Sequence, residues 1–234
     1  MNRSTANWLF VTPIVIAILL LTQPTLTGGN DRIDETVDLL GLVIAVMGLV
    51  MRVVSRDWKS SHIAGGLVTT GPYSVIRHPM YVASYLVGLG LFIVIGNLVL
   101  TLVFTALYIL VHVKVGRREE RFLSKKWPKA YKMYKARVPA VIPSPSALPK
   151  LFTRRHPLVS SRKAAVKREL GTICSVIAAA ILFEAREDYV VEGWTHAHTE
   201  ITFCLVLAAS TLFFWLMFSI IQRITKDTAS ADHA

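Results

Sequence analysis

Gly71-Pro72-Tyr73-Ser74-Val75-Ile76-Arg77-His78-Pro79-Met80-Tyr81 is a polar, turn-prone stretch between two membrane-length apolar runs. Lipid solvates none of these polar side chains, so each of them needs a partner or a ligand. Farther along, Arg117-Arg118-Glu119-Glu120-Arg121 stands where another apolar run ends. The two clusters bracket one helical hairpin with Gly96-Asn97 as its turn. They are therefore expected to meet at one membrane face and form a site.

The composition agrees with a membrane setting. The chain has 234 residues, 53% of them hydrophobic, and a mean hydropathy of +0.49. The apolar residues come in blocks, at 6–26, 37–54, 80–95, 98–115, 170–183 and 201–221. A crossing helix needs about 20 apolar residues, so the third block is slightly short and the fifth clearly short. The expected fold is all-α, a polytopic membrane helical bundle with a four-span core and a C-terminal pair of spans. The core runs over 1–143, a basic Pro/Ser linker over 144–168, and the two-span extension over 169–234. Residues 6–26 read as a retained first span, without the basic flank and cleavage pattern of a signal peptide.

If all six blocks cross, 24 of the 26 Lys and Arg residues fall on one side and 2 on the other. The positive-inside rule then puts both termini and both polar clusters in the cytoplasm. In a bacterium the membrane would be the plasma or inner membrane. The net charge of +11 is accounted for by a juxtamembrane belt facing anionic lipid, so no nucleic acid is called for. Cys174 and Cys204 lie within apolar blocks, and no metal-ligand spacing is present in the core. His196-Ala197-His198-Thr199-Glu200 looks metal-like but falls on the face opposite the polar clusters, and with two histidines and no fixed ligand spacing elsewhere no metal is expected there. His112, isolated within the fourth block, reads as an interior histidine.

Arg77, His78, Glu119, Glu120 and several tyrosines beside lipid suit a ligand carrying both charge signs, as an amino-acid zwitterion does. There is no GxGxxG or Walker sequence, so no soluble dinucleotide or P-loop fold is indicated. Beyond the hairpin, Phe122, Leu123, Trp127, Tyr131 and Tyr134 mark an apolar face among Lys and Arg. Such a face is expected to lie on the membrane surface or to cover the cytoplasmic end of the bundle, broken at Pro128.

Residues 37–143 resemble the isoprenylcysteine carboxyl methyltransferase family, within the wider group that includes phospholipid methyltransferases. The resemblance rests on Leu67-Val68-Thr69-Thr70-Gly71-Pro72-Tyr73, Arg77-His78-Pro79-Met80-Tyr81 and Glu119-Glu120-Arg121-Phe122-Leu123. Tyr131, Tyr134, Val138-Pro139 and Ile142-Pro143 come after them in family order. The resemblance implies an integral-membrane enzyme that binds S-adenosylmethionine at the cytoplasmic face, under a tunnel open to lipid. Gly65, Gly66, Leu67, Val68, Tyr73, His78, Pro79, Met80 and Tyr81 would line the cofactor, with Glu119 closing the far side. His78 is assigned to its carboxylate and Glu119 to its ammonium group.

Two positions depart from the family pattern. Gly65 stands where the family has His, with His62 nearby, and Ala140 stands where it has Arg. Lys114, Arg117 and Arg137 are the neighbouring replacements for holding an acidic acceptor, with Tyr131 and Tyr134 beside them. Glu120 is the candidate base should the acceptor be an amine. The expected partners are the bilayer and a lipophilic methyl acceptor with a carboxylate, thiol or amine headgroup. Two other readings are an NADPH-dependent sterol-type reductase, which shares an Arg-His-Pro-x-Tyr motif, and a non-catalytic lipid-binding membrane protein.

Overall fold

The computed structural model describes residues 31–61, 66–143, 147, 160–191 and 194–231. The expected first span, 6–26, lies outside the described residues. Those described form helices α1 (Asp31–Ser61), α2 (Pro79–Val94), α3 (Leu98–Lys126), α4 (Pro128–Arg137), α5 (Ser160–Val191) and α6 (Trp194–Ala231), with a 3-10 turn at Gly71–Ser74. The all-helical class agrees with the sequence expectation.

Local chemistry places the helix ends. Pro79 occupies the first turn of α2, where its missing N–H costs nothing. The α2–α3 turn uses Gly96 at φ +70°, a conformation that favours glycine. Asn97 then caps α3, its side chain accepting from the Leu100 N–H at 3.0 Å. Pro128 opens α4 directly after Trp127, the break its position in the sequence predicts.

Helices α1 and α2 pack at backbone contact. A Cβ on Gly90 would lie 2.4 Å from the Gly41 carbonyl oxygen and 2.6 Å from the Ala45 nitrogen. Small residues allow this close approach, as in membrane helix pairs generally. Because the obstructing atoms are backbone, Gly90→Val is expected to force the helices apart. Overpacking of this kind costs about 1–3 kcal/mol, to be read as a lowered unfolding midpoint in detergent. An unchanged midpoint would show that the contact is loose.

The outer surface is apolar where a bilayer would lie. Leu39, Val43, Val46 and Val50 on α1 are exposed, as are Val99, Leu102, Leu107 and Leu110 on α3. Among the described residues three helices are long and apolar enough to span a membrane, Glu35–Ser60, Leu98–Lys126 and Trp194–Ile221, with Pro79–Val94 a shorter apolar helix. These are the second, fourth and sixth of the expected blocks, so the four-plus-two arrangement is not shown as a whole. The 170–183 block belongs to a helix too polar at both ends to join them.

Helix α5 begins at Ser160, inside the stretch 144–168. The three prolines of that stretch all precede this start. The opening of α5, Ser160-Ser161-Arg162-Lys163-Ala164-Ala165, contains no helix breaker, and Ala, Arg and Lys are strong helix formers.

Candidate active site

At 29 residues and about 1.5 Å per residue, α3 is longer than the ~30 Å hydrocarbon thickness. Its apolar part ends near Val115, so its last turns carry Glu119 and Glu120 beyond that layer. Pro79 fixes the start of α2 beside them. The two polar clusters therefore meet, as their bracketing of one hairpin requires.

Arg77 is the hub of the meeting. Its Nη2 lies 2.7 Å from Glu120 Oε1, and its Nε donates to the same oxygen at 2.9 Å. Its Nη1 donates to the Val138 carbonyl at 2.6 Å. The backbone N–H groups of Arg77 and His78 donate to the carbonyls of Pro139 and Ala140 at 2.8 and 3.1 Å. Lys135 donates to Glu120 Oε2 at 2.9 Å. Glu120, its side chain only 14% exposed, is satisfied from several sides and ties α3, α4 and the Arg77 loop together.

Glu119 is placed differently. It accepts one hydrogen bond, from Tyr81 Oη at 2.7 Å, and Lys59 Nζ stands 4.0 Å from its other oxygen. Its side chain is 35% exposed. A carboxylate has about four acceptor positions, so Glu119 retains capacity for a ligand. His78, 9% exposed, has Nδ1 3.7 Å from Glu119 and Nε2 3.3 Å from Glu120. Its ring stacks on Tyr81 at 5.3 Å and 11°, and Tyr108 Oη donates to the Tyr81 carbonyl at 2.8 Å.

Two cavities flank this group. The outer one, about 140 Å³, is lined by Gly66, Leu67, Val68, Tyr73, Tyr131 and Tyr134, together with Lys59, Arg77, His78 and Glu119. The inner one, about 300 Å³, is lined by Arg52, Pro79, Met80, Tyr81, Ser84 and His112, together with Lys59, Tyr73, Arg77, His78 and Glu119. Lys59, Tyr73, Arg77, His78 and Glu119 stand between the two. Tyr134 Oη donates to the Tyr73 carbonyl at 2.7 Å. Burial pushes the phenols of Tyr73 and Tyr134 well above their ordinary range, and that of Tyr131 to about 12. All three remain neutral hydroxyls at physiological pH.

The cofactor residues read from the sequence thus collect around these two cavities, except Gly65, which lies outside the described residues. Those read for the acceptor divide. Tyr131 and Tyr134 line the outer chamber. Lys114 and Arg117 line a separate basic cavity of about 520 Å³ with Glu120, Arg121, Ser124 and Lys135. Arg137 lines an open cavity of about 870 Å³ that borders the outer chamber through Gly66, Leu67, Trp127 and Tyr134. Sequence reasoning missed Arg52, Lys59, Ser84 and His112 as lining residues. Arg52 and Lys59 passed as belt cations and His112 as an interior residue. Among the described residues no group of three or more His, Cys, Asp and Glu side chains could hold a metal.

Residues 39–130 match the family model for phospholipid methyltransferase. The chain is 36% identical over 141 residues to the cobalt-zinc-cadmium resistance protein CzcN of Cupriavidus metallidurans, covering 58% of this chain and 62% of that one. It is 31% identical over 134 residues to the nickel-cobalt-cadmium resistance protein NccN of Alcaligenes xylosoxydans xylosoxydans, covering 56% and 62%. Against the protein-S-isoprenylcysteine O-methyltransferase of Schizosaccharomyces pombe it is 35% identical over 91 residues, 39% of this chain and 37% of that one. The chain thus spans less than two thirds of the length of each of these relatives. No solved structure matches. The family match runs from α1 into α4 and takes in both polar clusters, and through this segment the chain is similar to the phospholipid methyltransferase family.

Proposed function

We propose that this protein is an integral-membrane methyltransferase that uses S-adenosylmethionine and methylates a lipophilic acceptor at the cytoplasmic membrane face. The observation that carries this reading is the pair of cavities sharing His78, Tyr73 and Glu119 inside a segment of methyltransferase type. The residues fit the cofactor's chemistry. Glu119 has spare acceptor capacity for an ammonium group, and the cations of Arg77 and Lys59 with the His78 ring suit a carboxylate. S-adenosylmethionine, when bound, supplies a methyl group on a sulfonium, open to in-line displacement.

The protein's own part is positioning and exclusion of water. Tyr131 and Tyr134, both buried, wall the outer chamber off from the cytoplasm. Glu120, held by Arg77 and Lys135, acts as an anchor in this reading. The inner chamber, which reaches His112 on the apolar α3, is the acceptor side. The basic cavity of Lys114 and Arg117 then suits an anionic headgroup at the membrane surface.

Binding titrations on purified protein test this reading. S-adenosylmethionine should bind and NADPH should not, and tritiated S-adenosylmethionine should label a total lipid extract. Preferential NADPH binding would restore the reductase reading, which the family match does not favour. Binding of neither would leave the non-catalytic module. The orientation has its own test: reporter fusions after Gly96 should lie outside, and after Lys150 inside. A Lys150 fusion found outside would overturn the cytoplasmic site.

A further inference from the structure

Glu169 lies on α5, outside the family-matched segment, yet its side chain is wholly buried. Arg52 Nε donates to its Oε2 at 2.5 Å, Arg56 Nε donates to its Oε1, and Thr172 Oγ1 lies 3.1 Å from Oε2. The Arg52 Nη1 group also donates to Ser84 on α2. A carboxylate buried this deeply persists only when paired and hydrogen-bonded. Two guanidinium groups from successive turns of α1 serve that need. Arg52 also lines the inner chamber, as does Ser84. A planar guanidinium with one edge on Glu169 and another on Ser84 is fixed in orientation, which a flexible cation would not be.

We propose that Glu169 is a positioning residue of the inner chamber. Through the Arg52–Glu169–Arg56 triad, the C-terminal helix pair sets the Arg52 guanidinium in the chamber wall. The acceptor side of the site is then completed by a segment that lies beyond the methyltransferase-type core. This rests on reading the inner chamber as the acceptor side.

The test uses the full chain, purified, as wild type and Glu169→Gln, with phenylglyoxal modification of each arginine and subsequent peptide mass mapping. Arg52 should react several-fold faster in E169Q, while Arg77, tied to Glu120 in the same site, should keep its wild-type rate. S-adenosylmethionine affinity should stay within about twofold. In lipid-extract methylation, the KM for extract should rise at least fivefold with the KM for S-adenosylmethionine unchanged. Unchanged Arg52 reactivity would overturn the proposal, as would equal acceleration at Arg52 and Arg77, which marks general loosening. If E169Q fails to fold, Ser84→Ala releases the same guanidinium from its other tether and should also speed Arg52 modification. If wild-type protein transfers no methyl group, the methyltransferase reading falls, and the arginine reactivities still decide the role of Glu169.

Discussion

Arg77→Ala is expected to destabilise the polar end of the bundle by about 3–5 kcal/mol, the usual cost of breaking a buried ion pair from one side. Both side chains of the Arg77–Glu120 pair are nearly buried, at 11% and 14% exposure. Removing the guanidinium strips Glu120 Oε1 of its strongest donor and leaves the Val138 carbonyl without its 2.6 Å partner. Lys135 stays on Glu120 Oε2 but is half exposed and cannot replace the fork. Arg77→Lys should recover part of the loss, since an ammonium keeps the charge but lacks the planar geometry that reaches both Glu120 and Val138. Unfolding midpoints in detergent measure both variants. An Arg77→Ala midpoint equal to wild type would show that the pair is not what joins α3, α4 and the Arg77 loop.

The parts of the fold that the sequence discloses are those governed by local rules. Pro79, Pro128 and Gly96-Asn97 mark helix ends because ring geometry, positive φ and side-chain capping act within a few residues. The meeting of His78 with Glu119 and Glu120 was legible because a tight hairpin leaves little freedom over where its two ends lie. The Arg52–Glu169 contact was not. It joins residues 117 positions apart, and Glu169 stands at the edge of an apolar block where nothing local marks it as buried. Arg52 and Arg56 read equally well as belt cations, since their charge is visible in the sequence and their partner is not. The different fates of Glu119 and Glu120 were also hidden. Adjacent carboxylates on a helix point about 100° apart, and only the docking of α4 shows which of them Lys135 and Arg77 claim.

Gly71 shows the same limit. Its φ of +60° fits a turn glycine, but the tighter constraint is Trp58, whose ring would lie 2.4 Å from an added Cβ. That contact fixes the 3-10 turn against α1 and sets Tyr73 between the two chambers. Neither the ring nor its distance can be read from the Gly-Pro-Tyr sequence.

Glu119→Gln separates binding from architecture, and its expected effect is a loss of S-adenosylmethionine affinity of about 10- to 150-fold. A charge-assisted hydrogen bond contributes about 1.5–3 kcal/mol, and that range converts to these factors. The amide is nearly isosteric and can still accept from Tyr81 Oη, so the 2.7 Å contact and the stack of Tyr81 on His78 should survive. What disappears is the negative charge with spare acceptor capacity at the boundary of the two chambers. The unfolding midpoint should therefore change little while affinity falls, the reverse of the Arg77→Ala pattern. S-adenosylhomocysteine supplies the control, since it keeps the amino-acid end and lacks the sulfonium. If Glu119 holds the ammonium group, both ligands should weaken by similar factors. If it acts mainly on the sulfonium charge, only S-adenosylmethionine should weaken. Wild-type affinity for both ligands in folded Glu119→Gln protein would remove Glu119 from the cofactor site and leave it as a hydrogen-bond acceptor that orients Tyr81.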